Sequence, residues 1–250
     1  MKRTHNPRMN DIHPKADSGA LASQIKAVAT GPGLSLVQVL GGGSVDQDIV
    51  VIGDGGLTGP ALLAGRLGVN SGLSGFGTHF QLWSMPINSR PIHLIMHPSA
   101  EMAERTEFAL LLKKLPYLGG VVLDQEGLLE HWRHWQLPPL GERISRLRSL
   151  IAPAIALVQL GSWCPDTTIA EGLRIWQYVA FHTVEEFLVE LGCPVSALCK
   201  GTPVQQIPQW PQVPLCLRES WQLAQEPKPE SQRIVQGLLS LDSALAGALK

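Results

Sequence analysis

The sequence predicts an α/β fold: a small mixed sheet covered by helices, followed by a mostly helical C-terminal half. Three observations carry that prediction. The apolar, β-branched run at 49–52 feeds a Gly-Asp-Gly-Gly turn at 53–56, and a helix-compatible segment at 58–67 leaves it. Strand-like and helix-like segments then alternate as far as Asp124, the rhythm of an α/β layer rather than of a bundle or a sandwich. From Gln125 onward most segments show helical spacing.

Taken in order, residues 1–17 read as a polar tail interrupted by Pro7 and Pro14. Leu21, Ile25 and Val28 place an apolar stripe on a short helix that Ser18 can cap and Gly31-Pro32 stops. Residues 34–40 alternate around β-branched positions, and 49–52 is apolar on both faces, as a central strand is. Pro60 falls where the first turn of a helix tolerates a missing N–H. Residues 79–83 and 91–96 read as two strands of a hairpin. Residues 98–115 read as one helix, with Glu101, Glu104 and Glu107 early and Lys113 and Lys114 late, as the helix dipole favours. Residues 119–124 form a further short strand.

Short helices are expected at 128–135 and 142–151, and a strand at 155–160. The best-specified helix covers 168–191: Thr168 and Glu171 have capping-box spacing, and Gly192 and Pro194 close it. Residues 202–215 hold four prolines and read as an extended arm anchored by Trp210, and 231–249 closes the chain as an amphipathic helix. The expected organisation is a single α/β domain over 18–250, with a possible division into 18–137 and 138–250.

Composition narrows the functional classes. Of 250 residues, 44% are apolar and only 16% charged, so part of the surface is expected to be covered by a protein partner or a second copy. The formal net charge of −1 argues against bulk attraction to nucleic acid. No apolar run reaches the roughly 20 residues that span a bilayer, and no apolar segment follows the basic N-terminus, so the expected place is the cytoplasm, without membrane insertion. Cys164, Cys193, Cys199 and Cys216 lack CxxC spacing and read as reduced thiols.

Fourteen of the 25 glycines lie between Gly31 and Gly77, and the turn they build is the candidate site: Gly53, Asp54, Gly55, Gly56 and Thr58 stand where a strand-to-helix loop cradles phosphate. The run VIGDGG followed by RLGVN resembles the Gly-Asp-Gly motif of thiamine-diphosphate enzymes, a resemblance that would make Asp54 a ligand of a magnesium ion on the diphosphate. That family's downstream asparagine pair is absent, Asn70 coming too early and Asn88 standing alone. The run GDGGLTGPALLAGRLG also resembles the nucleotide turn of the ubiquitin-activating-like adenylyltransferases, whose acid on the next strand has no counterpart in NSGLSGFGTHFQLW. The spacing from Gly55 to Gly59 is one residue too long for the dinucleotide fingerprint, and without a lysine the turn is no P-loop.

Other constellations are incomplete. His93 and His97 alternate onto one side of a strand and read as surface histidines. His131, His134 and Cys164 match no metal-ligand spacing. Ser44, Ser71 and Ser74 lie outside any nucleophile elbow, and Asp46, Asp48 and Asp54 flank one strand without pairing as acid and base. Arg143, Arg146 and Arg148, with Trp132 and Trp135, outline a weak nucleic-acid face.

With no complete catalytic set, no catalytic residue, no metal ligand and no resident cofactor are expected. The leading expectation is a non-catalytic cytosolic adaptor or assembly component whose contacts run through Trp210, Val235, Leu238, Leu245 and Leu249. The alternative is a nucleotide- or diphosphate-binding enzyme that uses the turn at 53–59.

Overall fold

The computed structural model describes residues 18–40, 47–67, 81–87, 90–160, 165–199 and 231–248. The N-terminal tail, Asp46, the proline-rich arm with Trp210, Cys164, Cys216 and Leu249 lie outside the described residues. The chain is α/β with a helical C-terminal half, and it divides into two compact units.

The first unit comprises 1–75, 81–100 and 118–128. It holds α1 (Ser18–Val28), β1 (Leu34–Val39), β2 (Gln47–Gly53), α2 (Thr58–Arg66), β3 (Gln81–Ile87), β4 (Arg90–His97) and β5 (Val121–Asp124). The strands form one mixed sheet in the order β3-β4-β2-β1-β5. β2 runs parallel to β4 and antiparallel to β1, with Ile52 opposite His97 on one side and Leu36 on the other. Its residues Ile49, Val50, Val51 and Ile52 are fully buried, which is why this run carries no polar alternation. One face of the sheet gathers Val37, Val39, Ile49, Val51, Leu94 and Met96 with Ile25 of α1 and Leu63 and Ala64 of α2. Arg66 near the end of α2 donates to the carbonyls of Val28 and Thr30, satisfying orphan acceptors where α1 ends.

The strand expected at 91–96 is β4, and that expected at 79–83 overlaps β3, residues 79–80 lying outside the described residues. The two strands pair antiparallel with Trp83 opposite Leu94. His97 is fully buried, contrary to its reading as a surface histidine. Alternation puts it with Ile95, but β4 is an interior strand and both its faces are covered, so a shared side does not mean a wet one.

The second unit comprises 76–80, 101–117 and 129–250. Its helices are α3 (Ala100–Glu104), α4 (Ala109–Lys114), α5 (Leu128–His134), α6 (Leu140–Arg148), α7 (Ile151–Leu160), α8 (Pro165–Glu190), α9 (Val195–Leu198) and α10 (Ser231–Ala248). The segment read as a strand at 155–160 is helix α7. Pro153 sits in its first turn, where it is tolerated, and the run is apolar because α7 packs on α8: a Cβ at Gly172 would come 2.0 Å from Val158. The single helix read over 98–115 is broken into α3 and α4. Between them the Thr106 hydroxyl donates to the Ala103 carbonyl at 2.7 Å and accepts from the Phe108 N–H at 3.2 Å, turning the chain.

α10 is built into this unit. Ile234, Leu238, Leu241 and Leu245 are fully buried in a core with Ile144, Leu147, Trp176 and Val184, and Val235 packs at its edge. Leu238 and Leu245, offered by the sequence to a partner, thus face their own unit. The approach is close: a Cβ at Gly237 would lie 2.2 Å from the Trp176 ring.

Candidate functional site

The carboxyl ends of the parallel strands β2 and β4 lie side by side, and the glycine turn leaves β2 there. In open α/β sheets that end of the strands is where ligands bind. The turn is fixed by close backbone packing at both ends. A Cβ on Gly53 would come 2.0 Å from the Gly56 carbonyl oxygen and 2.9 Å from that of Pro98, which follows β4. A Cβ on Gly59 would come 2.0 Å from the Gly33 carbonyl oxygen, and the Asp54 N–H donates to that same oxygen at 3.1 Å. Only glycine allows these backbones to meet.

Between these anchors the turn is open. Asp54, Gly55 and Thr58 are exposed, and nothing lies within 4 Å of where a Cβ would stand on Gly55 or Gly56. Gly55 has φ +74°, so its glycine has a backbone reason. Gly56 has neither a positive φ nor a neighbour to avoid. Leu57 occupies the N-cap of α2 and has no acceptor to offer, so the first-turn N–H groups of the helix receive no side-chain cap.

β1 and β5 bring in two residues that the sequence reading missed. Ser35 lies beside Gly53, is 2% exposed, and its hydroxyl donates to Glu126 Oε1 at 2.9 Å, with the Gly53 carbonyl oxygen at 3.4 Å. β5 reaches this end of the sheet antiparallel to β1, and the Gln125 N–H donates to the Ser35 carbonyl at 3.0 Å. The exposed Glu126 carboxylate is therefore held at the same sheet end as the turn. Asp124 is committed elsewhere, its Oδ1 accepting from the Leu128 N–H at 2.8 Å within the first unit.

The remaining candidates do not assemble. His131 meets Glu104 Oε1 at 2.9 Å and His134 meets Glu130 Oε1 at 2.8 Å, each in a separate carboxylate pair. Among the described residues no group of three or more His, Cys, Asp or Glu gathers as a metal site. The arginine face is engaged internally. Arg143 is buried against Glu186 and Glu190, Arg146 donates to the carbonyls of Glu104 and Thr106, and Arg148 grips Asp242 at 2.6 and 3.1 Å. Burial holds the Cys193 and Cys199 thiols above their ordinary value, the opposite of an activated nucleophile.

No family model matches the chain, and neither does any curated protein. Among solved structures, the chain is similar to a crystal structure of a nucleotidyltransferase-like protein from Exiguobacterium sibiricum 255-15. The match has 13% identity, 92% of this chain and 74% of that one covered, and a TM-score of 0.32. The comparisons do not bear out the expectation of a non-catalytic adaptor, and that reading is withdrawn. A likeness at this score carries no argument about chemistry, which therefore rests on the sheet end described above. Among the described residues no helix is long and apolar enough to cross a membrane.

Proposed function

We propose that the chain is a nucleotide- or diphosphate-binding enzyme that seats phosphate oxygens on the turn at 53–59. The observation that carries this reading is Gly56. Neither its backbone angle nor its surroundings demand glycine, yet it leaves bare backbone between two tightly anchored glycines and in front of an uncapped helix N-terminus. Bare, fixed N–H groups at the positive end of a helix suit an anion. In this reading the turn's amides and the first N–H groups of α2 cradle the phosphate. Asp54, exposed at the rim, would hold a magnesium ion that offsets the charge between carboxylate and phosphate. Nucleotides and diphosphates are cytoplasmic metabolites, and the reading places the chain there.

The test is a thermal-shift series with ATP, NAD and thiamine diphosphate, each with magnesium. A ligand at a hundred times its Kd contributes about 2.7 kcal/mol and raises the Tm of a chain this size by roughly 5–10 °C. At least one ligand is expected to do so, and Gly56→Ala is expected to lose most of the shift while its own unliganded Tm stays level or rises slightly. No shift with any ligand, or an undiminished shift in both Gly56→Ala and Asp54→Ala, would overturn the proposal.

A further inference from the structure

We propose that the break between α3 and α4 is a proton-gated hinge, closed while the Glu107 carboxyl is neutral and loosened when it ionises and draws the Arg146 guanidinium away. The segment has two local preferences. Its charge pattern over 98–115 suits one continuous helix, yet the chain folds it as two short ones with a turn at 105–108. Something must hold the turn, and two side chains do. Thr106 bridges the Ala103 carbonyl and the Phe108 N–H, and Arg146 Nη1 donates to the carbonyls of Glu104 at 2.7 Å and Thr106 at 3.1 Å. The Glu104 carbonyl is one of the acceptors that the end of α3 leaves without a helical partner, and the Thr106 carbonyl lies in the turn itself.

Glu107 lies inside this turn, and its Oε1 is buried with no hydrogen-bond partner. A neutral carboxyl tolerates that place far better than a carboxylate, which would need a cation. The cation that acts on it is Arg146, the same group that closes the turn. Ionisation thus gives Arg146 a stronger acceptor than two backbone carbonyls, and the turn is loosened or the carboxylate moves out. Burial pushes the Glu107 carboxyl up to about 7, only partly offset by its own backbone N–H and by Arg146, so the exchange of partners falls near neutral pH.

The other charged and titratable groups around the turn are identifiable. α3 presents Glu104, whose Oε1 is shared by His131 and Trp132 of α5, each at 2.9 Å. α6 presents Glu142, bonded to Arg146, and α8 presents Tyr178, whose ring centroid is 5.7 Å from that of Phe108, with the His182 ring tilted against it at 4.1 Å. His131 serves as the control, because it shares the carboxylate that ends α3.

Amide hydrogen exchange at 104–110, measured on the full chain from pH 6 to 8 and corrected for the intrinsic pH dependence, tests the hinge. Exchange is expected to rise severalfold with a midpoint near 7 in the wild type, to stay at the slow level in Glu107→Gln, and to keep the wild-type profile in His131→Gln. Arg146→Gln is expected to exchange fast at every pH. A rise that survives Glu107→Gln, or one that disappears in His131→Gln, overturns the proposal. So does slow exchange in Arg146→Gln.

Discussion

The glycines of the turn are of two kinds, and substitution separates them. Gly53 and Gly59 let backbones touch, so a methyl group at either would meet a carbonyl oxygen at 2.0 Å, an atom that cannot swing aside. Gly59→Ala is expected to lower stability by about 1–3 kcal/mol, read as a drop in the urea midpoint, from the strain of forcing a methyl into filled space. Gly56→Ala meets nothing and is expected to leave the midpoint unchanged or raise it slightly. An equal loss at both positions would mean that Gly56 is structural after all. The turn was legible in the sequence because a strand, four turn residues and a Pro-started helix are contiguous. Ser35 and Glu126 were not, because they are 91 residues apart and only the pairing of β1 with β5 brings them together. A lone serine in an apolar strand gives no local sign that its hydroxyl will hold a carboxylate.

Helices were legible where one apolar stripe met one set of caps. α8 was foreseen within a few residues by its stripe and its close at Gly192, but it begins at Pro165, so Thr168 lies inside the helix and is not its N-cap. The core strand β2 was foreseen from its unbroken apolar run. α7 failed because it is apolar on nearly every side, and a short apolar run has no period with which to choose between strand and helix. The break between α3 and α4 failed for a different reason. Propensity and dipole favour continuity there, and it is Arg146, from a helix some 40 residues on, that stabilises the interruption. α10 shows how a helix can be foreseen and its role misjudged: the amphipathic stripe is real, but it faces the unit's own core. Leu238→Ala or Leu245→Ala is therefore expected to cost about 2–5 kcal/mol by opening a cavity. Gly237→Ala is expected to displace the Trp176 indole, visible as an altered near-UV circular dichroism signal at unchanged helix content. If these substitutions left the urea midpoint unchanged, α10 would not be part of the core.

At the scale of the whole molecule, the low charged fraction of 16% is joined by an uncommon use of charge, since several ionic groups of the helical unit are inside it. Lys114 and Glu185 meet at 2.7 Å with 11% and 0% of their side chains exposed, and Arg143 is buried against Glu186. The paired carboxylates and the lone buried Glu107 make stability depend on pH in opposite directions. The His182 and Lys114 contacts outweigh desolvation and hold Glu185 below its ordinary value of 4.5, so its contribution is present above 4.5 and is lost as pH falls through the folded value. Asp242, held low chiefly by its bond to Arg148, acts in the same sense from 3.8 downward. Glu107 acts oppositely. Its carboxyl is raised to about 7, so its contribution is complete below 4.5 and is lost as pH rises through about 7. A tenfold change in proton affinity is worth about 1.4 kcal/mol, so the loss is on the order of 3 kcal/mol. Stability should therefore crest near pH 5, in contrast to the usual maximum nearer neutrality. Melting temperatures measured from pH 3 to 8 are expected to fall on both sides of that crest in the wild type. In Glu107→Gln the acid limb should remain and the decline between pH 5 and 8 should flatten. If that decline is as steep in Glu107→Gln as in the wild type, another group causes it, and Glu107 is not buried as a neutral acid.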